Sequence, residues 1–116
     1  MMLLDLDVIV TAPPAPGWGG RYWILVKVTT DTGLVGWGEC YAASIGPAAK
    51  VAVIEVVFER HMAGQHTEDI ELMFRRVYSS GFTQRPDMTV MGAFSGLEIA
   101  CWDILGKDRD RPVYAL

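Results

Sequence analysis

From Leu4 to Cys40 the apolar residues recur at every second position, and from about Gly46 onward they recur at helical spacing. Leu4, Leu6, Val8 and Val10 alternate with Asp5, Asp7, Ile9 and Thr11, which predicts a strand with one buried face. Ala12–Gly20 (APPAPGWGG) holds three prolines and three glycines. Proline lacks a backbone donor and glycine loosens φ, so this stretch reads as a loop. Alternation resumes over Arg21–Thr30, with Tyr22, Ile24, Val26 and Val28 on one face and Trp23, Leu25, Lys27 and Thr29 on the other. Asp31-Thr32-Gly33 is a hairpin loop in which Gly33 takes the positive-φ position. Leu34–Cys40 (LVGWGEC) returns as a third strand, with Gly36 and Gly38 on one face where another backbone can approach closely. The three strands make an antiparallel meander.

Three helices are predicted after it. Pro47 suits a first helical position, and Val51, Ile54, Val57 or Phe58, and Met62 share a face before Gly64 ends the helix. The β-branched run there keeps strand as a competing reading. In the second helix Thr67 is the expected cap, with Glu68, Asp69 and Glu71 early, Arg75 and Arg76 late, and Gly81 closing. Ile70, Met73, Phe74, Val77 and Tyr78 form its apolar stripe. The third helix runs from about Asp87 or Met88 to Lys107. Val90, Phe94, Leu97, Cys101, Ile104 and Leu105 line one face, and Met91, Ala93, Ile99, Ala100 and Trp102 carry the grease round most of its circumference. Such a helix is buried on more than one side.

The fold class is therefore α+β, a meander followed by a three-helix bundle. The 116 residues suit one domain, 1–116, since roughly 100–150 residues is the commonest domain size. Half the residues (51%) are apolar and 21% are charged, which excludes a disordered chain and is greasy for a domain this small. With 10 Lys plus Arg against 14 Asp plus Glu, the net charge of −4 gives no footprint for nucleic acid. No membrane span is expected, because the longest greasy stretch, Val51–Phe58, is interrupted by Glu55 and stops at Glu59-Arg60-His61. Met1–Val10 lacks the basic start of a signal peptide. Cys40 and Cys101 lack metal or disulfide spacing, so a reducing cytoplasm with both thiols packed is the expectation.

Candidate chemistry is sparse. His61 ends a helix, where its positive form meets the dipole, and His66 precedes the next cap; neither has a partner at metal or triad spacing. Cys40 and Cys101 have no basic flank to activate them and read as core. In GLEIACWDIL, Glu98 and Asp103 are acids among apolar neighbours, and Asp103 has Lys107 four residues on, the favourable order for an ion pair. GWGG and GWGE match neither phosphate-binding glycine pattern and open no helix. Trp18, in the Pro/Gly loop, either packs on its own core or closes over a ligand or partner.

The order strand, Pro/Gly loop, strand, Asp31-Thr32-Gly33, Leu34-Val35-Gly36-Trp37-Gly38-Glu39, then helices ending in Trp102-Asp103-Ile104-Leu105-Gly106-Lys107 covers essentially the whole chain. It resembles the N-terminal capping domain of the mandelate racemase/muconate lactonizing enzyme branch of the enolase superfamily. Val113-Tyr114-Ala115-Leu116 resembles the connection into the (β/α) barrel domain, which this chain does not include. Within the branch, the basic-aromatic start of the second strand and Tyr78-Ser79-Ser80-Gly81-Phe82 are most similar to acid-sugar dehydratases. Glu98 stands where many members have Asp.

The resemblance implies a parent enzyme that abstracts the proton α to a carboxylate with Mg²⁺: a carbon–oxygen lyase such as a sugar-acid dehydratase, or a racemase or cycloisomerase. Its base and metal ligands sit on the barrel, so no catalytic or metal residue is carried over to this chain, which alone is expected to be inactive. What transfers is a cap. The loop from Pro13 to Arg21 and the loop from Tyr41 to Ile45 would cover the barrel mouth, with Trp18 and Tyr41 as walls and Arg21 or Ser44 meeting a substrate carboxylate or hydroxyl. The implied partners are a C-terminal barrel domain of the same protein, a carboxylate-bearing small molecule, and further copies in a homo-oligomer. Two other readings fit the residues: a stand-alone module that self-associates through its greasy helix, and a binding domain with a closed pocket beneath Trp18.

Overall fold

The computed structural model describes residues 1–16, 21–41 and 46–116. Within them, strands β1 (Leu3–Thr11), β2 (Trp23–Thr30) and β3 (Val35–Cys40) form an antiparallel sheet in the order β1-β2-β3. Helices α1 (Ala48–His61), α2 (Ile70–Ser79) and α3 (Met88–Asp108) follow, with a 3-10 turn at Val113–Ala115. The α+β meander-then-helices order is the one the periodicity predicts.

Ile24, Val26 and Val28 of β2 are fully buried, and Gly33 turns the β2–β3 hairpin with φ +85°. The first strand departs from its simple alternation. Leu3 pairs with Thr30 while Asp5 pairs with Thr29, so Leu4 is an extra residue in a bulge. A bulge moves the following side chains to the other face. Leu3 is consequently buried (1% exposed) and Leu4 is out in solvent (65%), the reverse of the expected phase. Beyond the bulge Leu6 and Val8 regain the inner side, while Val10 is more exposed than the pattern implies. Tyr22 also lies outside its strand and is exposed rather than buried.

The inner face of the sheet meets α3 backbone to backbone. A Cβ at Gly36 would collide with the Ala100 carbonyl, one at Gly38 with the Gly96 carbonyl, and one at Gly96 with Cys40 Sγ. The two strand glycines thus serve the close approach their shared face predicts, and Gly96 completes the seam from the helix side. Around it Ala93, Phe94, Leu97, Ala100, Cys101 and Ile104 are buried against the sheet, α1 and α2. Each large side chain so buried is worth roughly 1.5–3 kcal/mol. Among the described residues α3 is the one helix long and apolar enough to cross a membrane, which the run-length reading overlooks, but one side of it packs on the sheet and the other helices.

The helix ends differ from expectation in detail. Pro47 is the residue before α1 rather than its first, and helix wins over strand because Ile54, Val57, Phe58 and Met62 reach the core together. Asp87 caps α3, its carboxylate accepting from the N–H groups of Thr89 and Val90. Thr67 does not cap α2. Its N–H and hydroxyl are both turned to the Met1 carbonyl, tying it to the start of β1, and α2 begins three residues later, at Ile70. Nor does Gly81 close α2 in a left-handed turn: Ser80 ends the helix in right-handed geometry, and the positive φ falls on Phe82.

Candidate functional site

Pairing register puts both predicted loops at one end of the sheet. Thr11 pairs with Trp23, and Ile24 with Cys40, so the β1–β2 and β3–α1 connections leave side by side. Arg21 and Tyr41 lie at this end, both exposed, Tyr41 to 77%. Trp18 and Ser44, the other two predicted substrate-facing residues, fall outside the described residues, as does the space beneath Trp18. An exposed guanidinium and phenol next to each other's loops can offer a bidentate donor and a flat wall to an anionic polyol.

The first turn of α3 comes to the same end and brings a residue the sequence reading missed. Lys50, on α1, is only 6% exposed, and its amine donates to the Thr89 carbonyl at 3.0 Å. Burial lowers its pKa from the ordinary 10.5, against the opposing pull of Cys40 and Asp87. The signal was present, since Lys50 shares the spacing of Ile54 and Val57. Cys40 Sγ lies 3.5 Å from the Ala93 carbonyl. Burial pushes the Cys40 thiol up to about 11 and that of Cys101 to about 12, so both stay protonated and inert, as core thiols should. At the far end of α1, burial and then Arg60 and Arg76 lower the pKa of His61.

The Trp102–Lys107 motif sits at the opposite end of α3. Asp103 and Lys107 pair at 2.7 Å, as their spacing predicts. The pair also grips β3: Trp37 N–H donates to Asp103 Oδ2 at 2.9 Å, and Lys107 Nζ donates to the Val35 carbonyl at 2.8 Å. Glu98 accepts from Trp102 Nε1 at 3.3 Å, which satisfies the other acid of the segment. Among the described residues no three His, Cys, Asp or Glu side chains converge as metal ligands.

Residues 18–116 match the family model of the mandelate racemase/muconate lactonizing enzyme N-terminal domain. A mandelate racemase/muconate lactonizing enzyme from Sulfitobacter sp. is 83% identical, with a TM-score of 0.94 over 99% of this chain and 29% of that one. The 3,6-anhydro-D-galactonate cycloisomerase from Zobellia galactanivorans is 25% identical, with a TM-score of 0.77 over 94% of this chain and 29% of that one. D-galactonate dehydratase from Verminephrobacter eiseniae is 36% identical over 94 residues, 81% of this chain and 24% of the relative. The chain thus spans about a quarter of the length of the curated relatives it matches. Meander, helix bundle, glycine seam and family match converge: the chain belongs to the mandelate racemase/muconate lactonizing enzyme family of the enolase superfamily, as its N-terminal domain.

Proposed function

We propose that this chain caps the active site of a Mg²⁺-dependent sugar-acid dehydratase. The observation that carries the reading is the convergence of the β1–β2 and β3–α1 connections, with Arg21 and Tyr41, at one end of a rigid sheet. The relatives support the substrate class, because D-galactonate and 3,6-anhydro-D-galactonate share a sugar-acid skeleton. In this reading a C-terminal barrel domain supplies the base and the metal ligands. The reaction removes the proton α to the carboxylate and expels the β-hydroxyl as water. The cap contributes binding and water exclusion, with Arg21 on the substrate's anionic or hydroxyl groups, Tyr41 and Trp18 as walls, and Ser44 as a further polar contact. The parent is a cytoplasmic homo-oligomer.

Arg21→Met in the protein joined to its barrel tests this. Hydrogen bonds to a charged group are worth about 1.5–3 kcal/mol, so KM for the sugar acid should rise about 10- to 100-fold with kcat changed far less. The assay is appearance of the dehydrated keto acid across a panel of aldonic acids. An unchanged KM for every acid that turns over would overturn the capping role of this loop.

A further inference from the structure

We propose that the free edge of β1 pairs with the same edge of a second copy, antiparallel and centred on Val8, so that two sheets become one across a two-fold axis. The proposal rests on the homo-oligomer of the reading above and names the surface by which its copies meet.

The sheet has two edges, β1 and β3, and the β3 edge is taken by Asp103 and Lys107. The β1 edge is closed at its start, where Leu3 N–H donates to the Gln65 carbonyl and the Leu3 carbonyl accepts from Gly64 N–H. The bulge at Leu4 follows, and Pro13 and Pro14 come after the strand's far end. Between these limits residues 5–11 lie open. The hairpin decides which of their backbone groups face out. Thr30 N–H donates to the Leu34 carbonyl and the Thr30 carbonyl accepts from Gly33 N–H, so Thr30 turns its backbone toward β3. Backbone direction alternates along an antiparallel strand, which turns Thr29, Lys27, Leu25 and Trp23 toward β1 instead. Their partners Asp5, Asp7, Ile9 and Thr11 are thereby used up. Leu6, Val8 and Val10 turn their N–H and carbonyl groups outward, and among the described residues nothing outside the sheet bonds them.

An open row of donors and acceptors is a template for another strand. Its charge pattern fits a second copy in one register. Only the even positions offer bonds, so a two-fold axis must pass where a residue faces its own copy. Centred on Asp7, the pairing sets two carboxylates face to face; centred on Leu6, it sets Asp5 against Asp7 on both sides of the axis. Centring on Ile9 or Val10 separates the acids but sets the start of the open stretch against residues 12–14, past the end of β1. Centred on Val8, Asp5 faces Thr11, Asp7 faces Ile9, and Leu6, Val8 and Val10 exchange hydrogen bonds along the whole open stretch. This register pairs the most strand and opposes no like charges. It also covers what the fold leaves bare. Val10 is 41% exposed although it lies on the sheet's inner side, and Leu6 of the second copy would come beside it. Ile9, 40% exposed on the outer side, would meet Asp7 of the second copy, whose charge Lys27 already balances at 3.2 Å.

The test uses the protein joined to its larger domain, with sedimentation across a dilution series giving the dissociation constant between copies. Val8→Pro removes an outward N–H and leaves the bonds to β2 in place, so it should raise that constant by about tenfold or more. Ile9→Asp sets a carboxylate against Asp7 of the second copy twice over and should also raise it about tenfold. Ile9→Lys meets the same Asp7 with the opposite charge and should leave the constant within about twofold of the parent or lower it. If Val8→Pro does not fold, the two Ile9 variants carry the comparison. Amide hydrogen exchange supplies a second readout: Leu6, Val8 and Val10 should exchange slowly in the assembly and speed up on dilution, while Asp7 and Ile9, held by β2, stay slow throughout. An assembly untouched by Val8→Pro and Ile9→Asp would overturn the strand pairing and leave the homo-oligomer standing. Equal weakening by Ile9→Asp and Ile9→Lys would overturn the Val8 register. Slow amides at Leu6, Val8 and Val10 in a species that sediments as a monomer would overturn the proposal and give the edge to another segment of the same chain. A monomer at every concentration would overturn the pairing and the homo-oligomer together.

Discussion

Lys50 puts an amine where the surrounding residues are apolar, and its cost is set by what it touches. Burial disfavours the ammonium, and the bond to the Thr89 carbonyl returns part of that penalty. The sign of the pH effect follows. A lysine whose folded pKa is lowered binds its proton less well in the native state than in the unfolded chain. Stability therefore rises with pH through the window between the lowered value and the ordinary 10.5. Lys50→Met keeps the stem and removes the charge, so it should shift neutral-pH stability by no more than about 1 kcal/mol. The difference between the parent and Lys50→Met, taken from urea unfolding at neutral pH and near pH 10, should move in favour of the parent as pH rises. A constant difference would mean that the amine is as well solvated folded as unfolded. The spacing of Lys50 with Ile54 and Val57 places it on the inward side of α1, and the arrival of α3's first turn gives its amine the Thr89 carbonyl there.

At the scale of elements, what was legible depended on whether a local rule or a distant partner had the last word. Gly33 in its turn and Asp103 with Lys107 follow from short-range chemistry, and the structure keeps both. Leu3 and Leu4 exchange places because the chain must also pair backward with Gly64–Thr67, through Leu3 N–H to the Gln65 carbonyl and Gly64 N–H to the Leu3 carbonyl. Thr67 gives up its capping role to the same contact. No pattern within either segment carries that information. The glycines of β3 were readable as a close approach, although the identity of the facing element was not. That contact supports a prediction: Gly38→Ala places a methyl against the Gly96 carbonyl, a backbone group that cannot rotate away. Overpacking of this kind costs about 1–3 kcal/mol. Urea midpoints should fall accordingly, and Gly33→Ala, which has open space but a positive φ, offers a separate comparison for backbone strain. A neutral Gly38→Ala would mean that β3 and α3 part easily.

For the molecule as a whole, the apolar surplus has been divided rather than abolished. The sheet's inner face and one side each of α1 and α3 are consumed by the core, and the free edge of β3 is already held by Asp103 and Lys107. Part of what stays open is a face of α2 and α3. An apolar groove of about 460 Å³ there is lined by Ile70, Phe74, Trp102 and Leu105 and reaches Leu116, and Ile99 on α3 is 50% exposed. Solved relatives at least three times as long place a larger body of chain after the matched region. If α3 packs on that body, an exposed position on it should be nearly silent in one context and costly in the other. Ile99→Asp is expected to change the unfolding free energy of the 116-residue chain by less than about 0.5 kcal/mol, as surface substitutions usually do. In the protein carrying its larger domain the same change would bury an unpaired carboxylate and lower stability by several times as much, with thermal unfolding as the readout. Equal small effects in both contexts would show that this face stays in water. Self-association of the short chain, abolished by Ile99→Asp in sedimentation, would instead assign the face to a second copy.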